Sequence, residues 1–95
     1  MTLAEVRTEI DRVDAGIKEL FKERMMLAGK IAEVKAETGD SVYKPEREAE
    51  VIQQLTADVD DDIKQEYTAL LRRIMELSRE YQYRKILSHY TRKDS

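Results

Sequence analysis

The chain has 95 residues, a formal net charge of −3 and no cysteine; 39% of its residues are charged, and it holds only three glycines and one proline. This length allows one domain with a small core, the acidic balance argues against nucleic acid as a partner, and the absence of thiols excludes disulfides and cysteine chemistry. No apolar run of about 18 residues offers a membrane span and the start carries no signal-peptide pattern, so the expectation is a single cytoplasmic domain over residues 1–95 with no membrane partner.

The first predicted element is long. Leu3, Val6, Ile10, Val13, Ile17, Leu20, Arg24, Leu27, Ile31 and Val34 follow one another at alternating steps of three and four, the spacing of one face of an α-helix. Thr2 with Glu5 three residues on forms a capping-box pattern, and Gly39 with Asp40 forms a stop signal. A helix from Leu3 to Thr38 follows, about 54 Å long. The single charge on its stripe, Arg24, cannot shed its proton and therefore needs a carboxylate, a carbonyl or an anionic ligand as partner.

A loop from Gly39 to Lys44 leads to Pro45, which suits the first turn of a helix. That second helix is short, ending near Leu55 or Ala57, with Ala49, Val51, Ile52 and Leu55 on one side. Asp58, Asp60, Asp61 and Asp62 then mark a turn and an acidic first turn, favourable at the positive end of a helix dipole. The third helix carries Ile63, Tyr67, Leu70, Ile74, Leu77 and Tyr81 at helical spacing and is expected to end near Tyr90, leaving a polar tail from about Thr91. The fold class is all-α: long, short, long. Two long helices and one short one leave much apolar stripe uncovered within one chain, which predicts an intertwined homodimer whose first helices pair along it.

Several polar residues border these apolar faces. Lys35 lies eleven residues after Arg24, on the same face about 16 Å along the axis; the pair either leans toward one small ligand or snorkels at a dimer rim. Arg47 and Glu48, in the first turn of the second helix, border its buried side or form a surface pair. Ser78 and Gln82 extend a row that begins at Leu71 and turns polar, suited to a ligand, a neighbouring helix end or water. Arg7 lies about 25 Å from Arg24 along one helix, so the two cannot share a small ligand within one subunit; in a crossed dimer Arg7 would serve the partner's site. Such cations, one carboxylate and two neutral hydrogen-bonding groups suit a small compound with two carboxylates and a hydroxyl. With no cysteine and a lone His89, read as solvated at a fraying helix end, neither a metal site nor a nucleophile is expected. Catalysis here would rest on positioning and electrostatics.

The segments V-R-x-x-I-D from Val6, E-R-x-x-L-A-x-x-I-A-x-x-K from Glu23 to Lys35, P-E-R-E from Pro45 and S-x-x-x-Q from Ser78 resemble, in order and spacing, the all-helical chorismate mutases. The resemblance runs from about Leu3 to Tyr90. It implies an intertwined dimer with two equivalent sites that rearranges chorismate to prephenate, on the route to phenylalanine and tyrosine, without a cofactor. It further implies that Arg24 and the partner chain's Arg7 hold the two substrate carboxylates with help from Ser78, that Lys35 and Gln82 donate to the ether oxygen, and that Glu48 accepts from the ring hydroxyl with Arg47 nearby. Family members often carry an aspartate just before the Pro-x-Arg-Glu segment; this chain has Lys44 there, which adds positive charge at the mouth and is not counted as a site residue. A pyruvate lyase acting on isochorismate on the same fold, and a non-catalytic helical dimerisation module, are the competing readings.

Overall fold

Thr2 caps a helix that runs unbroken for 36 residues. Its hydroxyl accepts from the Glu5 N–H at 3.1 Å, satisfying one of the orphan donors of the first turn. The helix stops where expected. Gly39 adopts φ 76°, and its N–H donates to the Lys35 carbonyl at 2.8 Å, a left-handed cap for which glycine carries no steric cost. The computed structural model describes residues 1–94 as three helices, α1 (Leu3–Thr38), α2 (Pro45–Thr56) and α3 (Asp61–Asp94), with no strand among the described residues.

Pro45 opens α2 at a position whose N–H would be unpaired in any case. The α1–α2 loop is pinned by Asp40, whose carboxylate accepts from the Ser41 N–H at 2.8 Å and the Lys44 ammonium at 2.7 Å, while Val42 is buried. Asp61 and Asp62 occupy the first turn of α3. The expected polar tail is corrected here: α3 continues past Tyr90 to Asp94. Two bonds favour the extension. The Thr91 hydroxyl donates back to the Leu87 carbonyl at 2.9 Å, and the Tyr90 hydroxyl donates across to the Ala36 carbonyl at 3.3 Å, tying the ends of α3 and α1 together. Ser95 lies outside the described residues.

Helices α1 and α2 each lie against α3 and not against each other. The intrachain seam does not use the long stripe. On α1 the buried row is Ala28, Ala32 and Ala36; on α3 it is Leu71, Met75, Ser78 and Gln82, rather than the Ile63–Tyr81 row. Alanines four residues apart form one ridge, and their short side chains allow a close approach between the two helices. Leu27, Ile31 and Val34, one ridge over, stay about half exposed or more. Between Arg7 and Arg24 every residue is exposed, so the first half of α1 projects as a largely uncovered arm. The radius of gyration, 17.2 Å, is well above the roughly 12 Å of a compact chain this long. Among the described residues no helix is long and apolar enough to cross a membrane.

Candidate functional site

A cavity of about 370 Å³ opens where the three helices converge, and six of the seven residues singled out from the sequence line it: Arg24, Lys35, Arg47, Glu48, Ser78 and Gln82. Helix α1 supplies Arg24, one turn before Ala28 in line with its alanines, and Lys35, next to Ala36. The first turn of α2 supplies Arg47 and Glu48. Helix α3 supplies Ser78 and Gln82, the polar continuation of its buried row. Arg7 does not join them; it lies on the exposed arm.

Each group has a defined setting. The Lys35 ammonium donates to the Val42 carbonyl at 3.1 Å, so the α1–α2 loop fixes the direction of its side chain. The Gln82 amide donates to the Ser78 hydroxyl at 3.1 Å with both residues buried, and the Gln82 carbonyl oxygen has no partner. A buried polar atom left unpaired costs on the order of 1–3 kcal/mol, and this oxygen, an acceptor, is satisfied only by a donor. The second amide hydrogen of Gln82 is free to donate.

The charges are unevenly distributed. Five cations line the cavity, Arg24, Lys35, Lys44, Arg47 and Arg79, against one carboxylate, Glu48, in a chain of net charge −3. Three of the five are compensated: Lys44 by Asp40 at 2.7 Å, Arg47 by Glu50 at 2.8 Å and Arg79 by Glu48. The Glu48 pairing strengthens the hold of the Arg79 guanidinium on its proton. Arg24 and Lys35 have no carboxylate partner among the described residues. Arg24 itself is exposed in the single chain, along with all of its stripe but the half-buried Val6; the burial expected for it requires something beyond this chain.

Two sequence expectations change. Arg47 does not pair with Glu48, because its guanidinium turns outward to Glu50. His89 is not merely solvated: its side chain is 28% exposed, its Nε2 lies 3.7 Å from Glu37 and is buried without a hydrogen bond, and its ring meets Tyr90 edge-on. The reading missed Arg79, which lines the cavity and holds Glu48. Among the described residues no cluster of His, Asp or Glu is arranged to hold a metal ion.

A model of the chorismate mutase type II family matches residues 6–83. The chain is 42% identical over 53 residues to the bifunctional chorismate mutase/prephenate dehydratase of Aquifex aeolicus strain VF5, a stretch covering 56% of this chain and 15% of that protein. It is 46% identical over 46 residues to the chorismate mutase of Methanocaldococcus jannaschii, covering 48% of this chain and 46% of that one. Identity to the T-protein of Haemophilus influenzae is 37% over 51 residues, or 54% of this chain and 14% of that protein. The match thus covers less than half the length of each of these relatives. No solved structure gives a significant match. With the family pattern extending from the exposed arm of α1 to the cavity wall of α3, the chain belongs to the chorismate mutase type II family.

Proposed function

We propose that this chain catalyses the rearrangement of chorismate to prephenate, and that it does so as a homodimer. The observation that carries the reading is the pair of uncompensated cations, Arg24 and Lys35, in one cavity with the Gln82 amide and a single carboxylate. The reaction is intramolecular: a C–O bond breaks as a C–C bond forms, with no external nucleophile and no net proton transfer. It needs the flexible side arm held over the ring and fixed donors at the ether oxygen, where negative charge grows as the bond stretches.

In this reading Arg24 takes one substrate carboxylate and Ser78 assists. Lys35, directed by the Val42 carbonyl, and the free amide hydrogen of Gln82 face the ether oxygen. Glu48 accepts from the ring hydroxyl, and Arg47 guards the mouth. The second carboxylate falls to Arg7 of the partner chain. The dimer reading draws support from the exposed arm, because most helical stability in proteins comes from packing an amphipathic face, and from a wide groove of about 990 Å³ along Leu27, Ile31, Val34 and Thr38. A second copy of the same stripe covers both.

The direct test is loss of chorismate absorbance with prephenate as product, run beside isochorismate with pyruvate as the measured product. Prephenate formation is the expected result. Pyruvate release without prephenate would move the chain to the lyase reading, and no binding of either compound at millimolar concentration would leave a non-catalytic module.

A further inference from the structure

Arg79 directly follows Ser78 yet serves a different surface. One step along a helix turns a side chain by about 100°, so Arg79 leaves the Ser78–Gln82 row and points toward α2. There one guanidinium nitrogen, Nη1, reaches both oxygens of Glu48, 31 residues away in sequence, at 2.6 Å for Oε2 and in close contact with Oε1. The guanidinium also lies over the Tyr43 ring, 4.7 Å from its centre. Both charged side chains are about three-quarters buried, with exposures of 26% and 24%. This differs from the peripheral ion pairs of Arg47 and Lys44.

We propose that Arg79 is a positioning residue that makes Glu48 selective for a hydroxyl donor on the ligand. The proposal rests on the mutase reading of the cavity, in which Glu48 meets the ring hydroxyl. A carboxylate offers about four acceptor sites. Nη1, lying between the two oxygens, takes one on each and leaves the outer two. The stack on Tyr43 stops the guanidinium from swinging, and the bridged contact stops the carboxylate from turning about its terminal bond. Glu48 is the one carboxylate among five cations. Untethered, it would be free to fold onto Lys35 or Arg24. Tethered, it presents a fixed acceptor at the cavity wall.

The kinetic consequence is specific. The ring hydroxyl sits on the carbon next to the one whose C–O bond breaks but is itself neither made nor broken, so on this proposal its contact with Glu48 holds in the ground state and the transition state alike. Uniform binding of this kind appears in KM and not in kcat. A charge-assisted hydrogen bond of this type corresponds to about tenfold or more in affinity.

The experiment uses the full chain with two substrates, chorismate and its analogue with hydrogen in place of the ring hydroxyl. Arg79→Met is expected to raise KM for chorismate about tenfold, to leave kcat within about threefold, and to leave KM for the deoxy analogue unchanged. Arg79→Lys is expected to recover most of the loss. Should Arg79→Met not fold, Tyr43→Leu, which removes only the stack, carries the test with a smaller rise in KM confined to chorismate. Equal changes for both substrates, a fall in kcat matching the rise in KM, or no change at all would overturn the proposal. A parent chain that turns over neither substrate removes the mutase reading and this inference together. An active parent whose Arg79 variants treat both substrates alike removes this inference alone.

Discussion

Lys35 combines two properties that a surface lysine lacks. It is partly buried, and its ammonium is aimed by a backbone carbonyl rather than neutralised by a carboxylate. Its full charge therefore remains available to a developing oxyanion, and Lys35→Ala is expected to lower kcat on chorismate by about 100- to 1,000-fold while the melting temperature stays near that of the parent. The aim depends on the loop, where the exposed Asp40 carboxyl is held below its ordinary range first by the hydrogen bond from Lys44 and then by the Ser41 N–H. A carboxyl depressed in the folded state adds stability above its unfolded value, near 3.8, and loses it as pH falls through the lower folded value. Thermal melts of the parent and Asp40→Asn should thus differ slightly at pH 5–7, in low salt, and converge as pH falls below that ordinary value. Arg24 and Lys35 were legible in the sequence because helix geometry alone puts them on one face. Arg79 was not, since its role depends on where α2 comes to rest, and no local spacing encodes a contact across 31 residues.

Along single elements the boundaries were well marked, because caps and breakers act locally: Thr2, Gly39 and Pro45 each sit where a helix begins or ends. The end of α3 was less legible. Tyr90 and Thr91 look like a polar exit, and the helix persists through the Thr91 bond to the Leu87 carbonyl and the Tyr90 bond to the Ala36 carbonyl of another helix, the second of which no local pattern shows. Period alone also gave no sign of which row forms the seam within the chain. It favours the bulkiest residues, whereas the α1–α3 seam is built on alanines, and the bulky stripe is left for another surface. Gly29 belongs to this seam. A β-carbon there would lie 3.5 Å from the Tyr81 ring, an ordinary van der Waals distance. Gly29→Ala therefore meets no clash and recovers helix propensity, so it is expected to stabilise the chain by about 0.5–1 kcal/mol in a denaturant titration. A loss of stability would show that α1 and α3 close more tightly at Tyr81 than this spacing allows.

For the whole molecule, the intrachain core is too small to explain the sequence. Leu3, Ile10, Val13, Ile17 and Leu20 are each about half exposed or more along the first half of α1, and such a continuous apolar face marks an association surface. Sedimentation at micromolar concentration is expected to return twice the 11.1 kDa of one chain. Symmetry makes a sharper test possible. If Arg7 completes the partner's cavity while Lys35 serves its own, Arg7→Ala and Lys35→Ala each inactivate both sites of their own homodimer. In a mixed dimer, one cavity carries both lesions and the other carries neither. Equal amounts of the two inactive proteins, unfolded and refolded together, should form about half mixed dimers with one intact site in two, and so recover about a quarter of parental activity. If Arg7 acted within its own chain, every cavity in the mixture would keep one lesion and no activity would return. Recovery near a quarter would place the two residues on different chains of one site, and the exposed arm would then be the element that carries Arg7 across the interface.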